Sequence, residues 1–147
     1  MASDAGAREG LQPLPAGAVE ALLRFLPTFA APSFVPGVAC GGTDDGSGLI
    51  DWPWFDYAPE VREFEQVLYR EGWIVGFDWG EWQDEGRRLV DGDGLESADL
   101  DDLRRLVTVV FRKERFCDGT IAVAFRDGTL LRILHRVAQL KDSAPRR

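Results

Sequence analysis

The sequence predicts a mainly helical α+β fold: a single domain of four or five helices with one small β-hairpin near the C-terminus. The chain has 147 residues, of which 45% are hydrophobic and 29% are charged, as in a globular domain. Apolar residues recur at helical spacing in several segments, whereas residues 120–125 alternate as a strand does. We therefore expect one domain over residues 16–141, with disordered tails at 1–15 and 142–147.

The first predicted helix begins at about Gly17 and ends or kinks at Pro27, which lacks a backbone donor and disfavours helix at the preceding residue. Residues 32–51 are rich in Pro, Gly, Asp and Ser without a period, which predicts a loop. The glycine-rich part of that loop, 41–48, lacks the lysine of a phosphate-binding loop and carries two acidic residues. We interpret it as a flexible loop.

The second helix is predicted from Pro59 to about Gly72, because proline suits a first helical turn and glycine suits a C-terminal cap. Residues 73–77 then fit a short strand or an extended crossing. Asp78 and Glu81 have capping-box spacing, so a third helix is predicted from there to about residue 90.

The sequence Asp91-Gly92-Asp93-Gly94 resembles part of a calcium-binding loop. In neither register of that loop do the required acidic and glycine positions carry the right residues. We therefore predict a solvated turn.

The fourth helix has the strongest signals: Asp99 suits its N-terminal cap, and acidic residues suit its positive end. One face supplies a predicted buried stripe: Leu100, Leu103, Leu106, Val107, Val110 and Phe111. The other face carries a predicted polar-basic line: Arg105, Thr108, Arg112 and Arg115.

The predicted C-terminal hairpin combines the alternating residues 120–125 with a turn at Asp127-Gly128. Residues 130–138 also have the apolar spacing of a final helix. The second strand of the hairpin is therefore expected to be short.

The net charge of -8 is distributed unevenly along the chain. Residues 1–103 carry 6 basic and 21 acidic side chains, whereas residues 104–147 carry 11 basic and 4 acidic ones. Either the two parts neutralise each other within one domain, or the basic part forms a face for a phosphate or an acidic partner. An acidic protein is an unusual nucleic-acid binder, so we do not expect nucleic acid as the partner.

The sequence also predicts a compartment. No apolar run approaches the roughly 20 residues that cross a bilayer, and the N-terminus lacks a signal peptide, so we expect a cytoplasmic protein without a membrane partner. Cys40 and Cys117 are too few for a disulfide framework or a metal site, which predicts reduced thiols. Fifteen arginines against two lysines, with abundant Ala and Gly, suggest a bacterial genome of high GC content.

No catalytic motif is recognisable. His135 is the single histidine, and no serine lies in a nucleophile motif, so neither a catalytic triad nor a zinc site is predicted. Carboxylate pairs are abundant and therefore indicate little. We expect no metal and no cofactor, and the sequence leaves open whether the protein is an enzyme.

One group of residues has the composition of a ligand pocket: Asp78, Trp79, Trp82, Arg112 and Arg115. Tryptophan faces can stack on a planar or sugar-like ligand while guanidinium groups hold an anion. Alternatively, Asp78 forms an internal ion pair with one of the arginines, which would tie the third helix to the fourth beneath a tryptophan-rich core.

All five tryptophans lie between Trp52 and Trp82, and the Trp52-Pro53-Trp54 sequence falls next to the predicted loop. Because tryptophan often dominates the energy of an interface, we interpret Trp52 and Trp54 as candidate contacts of a protein-binding or regulatory module. The alternatives are an enzyme or small-ligand receptor that uses the Asp/Trp/Arg pocket, and phosphate or nucleic-acid binding along the basic face of the fourth helix.

The pattern also resembles a small prokaryotic family of uncharacterised proteins, a domain of unknown function. Its residues here are Gly72-Trp73, Phe77-Asp78-Trp79 and Trp82, followed by Leu106, Thr108, Arg112 and Arg115-Phe116. The resemblance spans about residues 19–140. Cys117 departs from the acidic residue that the pattern has at that position. The resemblance implies a single small domain and no particular activity.

Overall fold

The computed structural model describes residues 11–42, 46–48, 53–92 and 94–143. The chain is mainly helical with one small antiparallel sheet, so the predicted α+β class is confirmed. The elements in chain order are α1 Ala18–Leu23, α2 Leu26–Ala30, β1 Gly37–Cys40, β2 Trp54–Tyr57, α3 Pro59–Arg70, α4 Gln83–Asp91, a 3-10 turn Gly94–Ser97, α5 Leu100–Lys113, α6 Thr120–Arg126 and α7 Thr129–Ser143. The helices are more numerous than the four or five predicted.

The sheet is not at the C-terminus, and the predicted hairpin there is wrong. The region over residues 120–131 forms α6 and the start of α7, separated by Asp127 and Gly128. The alternation in α6 places residues on opposite sides of the chain, but Ile121, Ala122 and Ala124 are all buried, because α6 packs against both α5 and α7. A short helix that is buried on two sides can therefore have the same apolar pattern as the predicted strand.

The sheet instead joins part of the predicted loop to the residues that follow it. Gly37 pairs with Tyr57 and Cys40 pairs with Trp54 in the antiparallel register. Each strand has only four residues, which is too short for a clear alternation in the sequence.

The first predicted helix divides into α1 and α2. Pro27 lies in the first turn of α2, where the missing backbone donor costs nothing because that position has no helical acceptor. Pro27 therefore belongs to the start of a second helix, and the break in the helix precedes it.

Helix α3 begins at Pro59 as predicted, and its C-terminal end follows the glycine signal. Gly72 adopts a positive φ of 79°, and the next backbone N–H, that of Trp73, donates to the carbonyl of Leu68 at 2.9 Å. This is the bond of a glycine-terminated helix, and it buries Trp73 against the core. Residues 73–77 form no strand.

The two predicted N-terminal caps have different outcomes. Oδ1 of Asp99 accepts from the N–H of Asp102 at 2.8 Å, so the cap of α5 is confirmed, and such caps contribute about 1 kcal/mol. Oδ1 of Asp78 accepts from the N–H of Glu81 at 3.3 Å, yet α4 begins only at Gln83.

Two long helices organise the core: α5 contacts α4, α6 and α7, and α7 contacts α1, α2, α5, α6 and the 3-10 turn. A cluster of phenylalanines fills the space between α2, α3, α5 and α6: Phe25, Phe29, Phe34, Phe64, Phe111 and Phe125. The ring centroids of Phe29 and Phe125 are 4.9 Å apart in an edge-to-face arrangement, which adds to the stabilisation from burial.

Candidate functional site

The short sheet is attached to the helices by a polar network at the start of α6. The hydroxyl of Tyr57 donates to Oε1 of Glu114 and accepts from the N–H of Ala122 at 3.2 Å. The carboxylate of Glu114 also accepts from the N–H groups of Gly119, at 3.1 Å, and Thr120, at 2.7 Å. Glu114 and Tyr57 together therefore satisfy donors of the first turn of α6 that have no helical partner.

Burial and the hydrogen bond to Glu114 raise the pKa of Tyr57, so its hydroxyl stays protonated and remains a donor. Burial likewise raises the pKa of the nearby Glu65, an effect that the charge of Glu114 increases and that of Arg115 opposes. This network is a structural clamp between the sheet and the helices.

A second contact fixes the outer edge of β2. The N–H of Phe55 donates to Oδ2 of Asp118 at 2.7 Å. The N–H of Ala58 donates to the carbonyl of Pro36 at 2.7 Å. Hydrogen-bonded and non-hydrogen-bonded pairs alternate along an antiparallel ladder, so this bond fixes which pairs of the two strands are hydrogen-bonded. In that alternation the backbone groups of Phe55 point away from β1, as the bond to Asp118 requires.

Successive side chains of each strand point to opposite faces of the sheet. Phe55 and Tyr57 lie on the face toward the helices, with ring centroids 4.7 Å apart. Val38 and Trp54 lie on the opposite face, where they are 57% and 51% exposed. Phe116, which is 78% exposed, precedes by two residues Asp118, the residue that accepts the hydrogen bond of the Phe55 N–H. We call Val38, Trp54 and Phe116 the apolar patch.

Of the two predicted interaction residues, Trp54 is thus a member of the apolar patch. Trp52 lies outside the described residues.

Among the predicted ligand-pocket residues, Asp78 does not converge with the two arginines. Asp78 is exposed, and among the ion pairs of the described residues it is joined to neither Arg112 nor Arg115. Arg115 is exposed and lies near Glu65 of α3, whereas Arg112 is half-buried. Both the arginine-lined pocket and the internal Asp78–Arg pair lack the contact that each requires.

The predicted polar-basic line on α5 is not a surface. Arg105 and Thr108 are buried, and Oγ1 of Thr108 accepts from the N–H of Val75 at 3.0 Å. The residues after α3 cross this side of α5, which the local helical pattern did not reveal. The remaining basic residues, Arg112 and Arg115, do not make a continuous basic face with them.

Arg104 is the most buried arginine of the described residues, with 4% of its surface exposed. Its Nη1 donates to the carbonyl of Gln12 at 2.6 Å and its Nη2 donates to that of Gly72 at 2.7 Å. Burial lowers the pKa of its guanidinium group. Arg104 thus ties the segment before α1 and the end of α3 to α5, a structural role.

Trp79 and Trp82 do share a cleft, of about 290 Å³, between α4 and α5. The charged side chains that line it are Arg87, Asp91 and Lys113. Trp79 and Trp82 were predicted to line a pocket together with Arg112 and Arg115, and neither of those arginines lines this cleft. The sequence signal for this cleft was Gly86, a glycine inside the predicted third helix. Arg87 and Val90 follow it on the helix that begins next to Trp82.

A second cleft, of about 500 Å³, lies beside the sheet and is lined mainly by apolar and aromatic residues, including Phe29, Phe34, Phe55 and Phe125. Arg126 is the one charged residue of its lining. A cleft of this size is within the usual range for ligands, but its polar groups are few.

The described part of the chain holds no group of three or more His, Cys, Asp or Glu residues that could bind a metal ion. Cys40 and Cys117 are both free thiols, and His135 is exposed on α7. None of the helices within the described ranges has the length and apolarity needed to span a bilayer.

No local sequence pattern marked the following residues of the clamp, of its contact with β2 and of the cleft: Tyr57, Glu114, Asp118, Arg87, Lys113 and Thr129. Tyr57 precedes the predicted second helix, and the sequence near Glu114 and Asp118 gives no sign of their contacts. Tyr57 and Asp118 each form a hydrogen bond with a residue more than 50 positions away in the chain.

Comparisons with curated proteins and with solved structures give no match. Residues 14–143 match the model of a family described as a family of unknown function, DUF6508. The match covers nearly all of the folded chain, and it agrees with the resemblance to a family of uncharacterised proteins. The chain belongs to the family of unknown function DUF6508.

Proposed function

We propose that this chain is a protein-binding module that contacts its partner through the apolar patch, with Trp54 as the central contact. The observation that carries the proposal is that Trp54 is 51% exposed on a sheet whose opposite face is clamped to the helices. An exposed tryptophan on a fixed strand has no role in the core of this chain. Tryptophan is also the residue type most enriched among residues that dominate binding energy.

The clamp supports the proposal because it fixes the patch before a partner arrives. Trp54 precedes Phe55, whose N–H is held by Asp118, and Tyr57 is held by Glu114. A surface that is already ordered loses less conformational entropy on binding, so more of the contact energy appears as affinity.

The edge of β1 that faces away from β2 favours a partner with an extended segment. In the established ladder, the backbone groups of Gly37 and Ala39 point away from β2. Within the described ranges these groups have no hydrogen-bond partner outside the ladder. A partner strand added along β1 would pair with them and lie beside Val38.

The test uses a photo-crosslinking amino acid at position 54, with position 69 as the matched control. Tyr69 is also an exposed aromatic residue, 41% exposed, and it lies on α3. We expect a crosslinked protein adduct from position 54 and none from position 69. Sedimentation of the purified chain distinguishes a second copy from a different protein as the partner.

Alanine substitutions then measure the contribution of the patch to binding of the captured partner. Trp54→Ala and Phe116→Ala are expected to weaken binding by about tenfold or more while the melting temperature stays near wild type. Ala39→Pro removes one N–H of β1 that points away from β2. It is expected to weaken binding only of a partner that adds a strand along β1. Equal crosslinking from positions 54 and 69, or a large loss of melting temperature in Trp54→Ala, would contradict the proposal.

A further inference from the structure

The cleft between α4 and α5 has features of a small-ligand site that the protein-binding proposal does not use. It is lined by Trp79 and Trp82 and has a volume of about 290 Å³, near the lower end of the range for ligand pockets. It lies on other elements than the apolar patch.

Two polar side chains of the lining are more than nine-tenths buried. Trp82 is 4% exposed and Thr129 is 6% exposed. Within the described residues neither the indole N–H of Trp82 nor the hydroxyl of Thr129 makes a hydrogen bond, and neither atom is sealed from solvent. Both atoms therefore reach solvent without a hydrogen-bond partner among the described residues, and both are available to a molecule in the cleft.

The position of Trp82 depends on a glycine in the middle of α4. A Cβ atom at Gly86 would lie 2.8 Å from Cζ3 of Trp82, closer than the two atoms can approach. Glycine in a helix interior costs roughly 0.5–1 kcal/mol relative to alanine. That cost allows the indole ring to lie against the backbone of α4 and to form one wall of the cleft.

The charges of the lining favour a ligand with one negative charge. Arg87 and Lys113 contribute two positive charges and Asp91 one negative charge, in a chain that is acidic overall. None of the three belongs to an ion pair among the described residues. A carboxylate can accept hydrogen bonds from a lysine, a guanidinium group and a hydroxyl.

We propose that this cleft binds a small planar aromatic carboxylate, with its ring against Trp79 and Trp82 and its carboxylate held by Lys113 and Arg87. The indole N–H of Trp82 and the hydroxyl of Thr129 supply the remaining hydrogen bonds. The site shares its aromatic wall with the pocket predicted from the sequence, and it replaces Arg112 and Arg115 with two other cations.

The test follows the indole N–H signals of the full chain by NMR during titration with indole-3-carboxylate. We expect a saturable shift of the Trp82 signal with a Kd of about 1 mM or tighter. Neutral indole, which lacks the charge, and cyclohexanecarboxylate, which lacks the planar ring, are each expected to bind at least about fivefold more weakly.

Matched variants locate the carboxylate. Lys113→Met and Arg87→Met keep the length of an exposed side chain and remove its charge, and each is expected to weaken binding by about tenfold. Arg112→Met is the control, because Arg112 neighbours Lys113 and does not line the cleft. Trp54→Ala is expected to leave this affinity unchanged.

The proposal is overturned by any of three results. These are no shift of the Trp82 signal up to about 10 mM ligand, equal weakening by Arg112→Met and Lys113→Met, or equal binding of indole-3-carboxylate and cyclohexanecarboxylate. Thermal melts of each variant establish that it is folded before its affinity is compared.

Discussion

The hydroxyl of Tyr57 donates a hydrogen bond to the carboxylate of Glu114, which lies 57 residues later in the chain. The same carboxylate accepts from two N–H groups at the start of α6. One acidic side chain therefore joins β2, the end of α5 and the start of α6.

Removing the carboxylate of Glu114 is expected to destabilise the whole domain. Glu114→Ala leaves the N–H groups of Gly119 and Thr120 without their acceptor, at a cost of about 2–4 kcal/mol. This should lower the melting temperature by roughly 6–12 °C, measured by circular dichroism. Tyr57→Phe keeps those two bonds and should cost less, about 1–2 kcal/mol.

The control for the Glu114 experiment is Glu63→Ala, which removes an exposed carboxylate from α3. It is expected to leave the melting temperature close to that of wild type. A Glu114→Ala variant as stable as Glu63→Ala would show that the clamp contributes little.

The second prediction concerns the contact that fixes the edge of β2. Asp118→Ala removes the acceptor of the Phe55 N–H, which is a charge-assisted bond of 2.7 Å. We expect hydrogen exchange of the amides in residues 54–57 to become about tenfold faster, with a smaller change in global stability. Asp84→Ala, in exposed α4, is the control. Unchanged exchange in the strand would mean that Asp118 does not hold it.

The third prediction concerns Arg104, which donates to the carbonyls of Gln12 and Gly72. Arg104→Met is expected to lower the free energy of unfolding in urea by about 2–4 kcal/mol, because two partly buried hydrogen bonds to carbonyls lose their charged donor. Hydrogen exchange in residues 11–18 should accelerate as well. Arg88→Met, which changes an exposed arginine, should alter neither quantity. A stable Arg104→Met variant would imply that removing the buried charge offsets the lost bonds.

The fourth prediction concerns Glu65, whose pKa is raised mainly by burial. A raised pKa means that the folded state holds the proton more strongly than the unfolded state, so stability is lost as the pH rises through the folded pKa. Glu65→Gln is therefore expected to be more stable than wild type at pH 7. The difference should shrink as the pH falls to about 4, where the unfolded carboxyl is also protonated.

Urea denaturation at several pH values measures this difference. Glu63→Gln, on the exposed face of the same helix, is the control and should show no comparable gain at pH 7. A loss of stability in Glu65→Gln at pH 7 would mean that the attraction between Glu65 and Arg115 outweighs the cost of burying the charge.

The candidate sites could be predicted from the sequence only in part. Trp79 and Trp82 were predicted to form one wall of a pocket, and they do line one cleft. Of the cations assigned to that wall, Arg112 lies one position from Lys113 on α5, and a helix rotates by about 100° per residue. A choice between adjacent positions requires knowing which elements pack on each side of α5.

The sequence by itself determined the helical class and the limits of two helices. Proline at residue 59, glycine at residue 72 and aspartate at residue 99 act on backbone groups within a few residues, so their effects are local and readable. Only the tertiary structure decided that Arg105 and Thr108 are buried and that residues 120–131 are helical. Burial depends on elements distant in the chain, and a short apolar segment takes the conformation in which those elements can cover it.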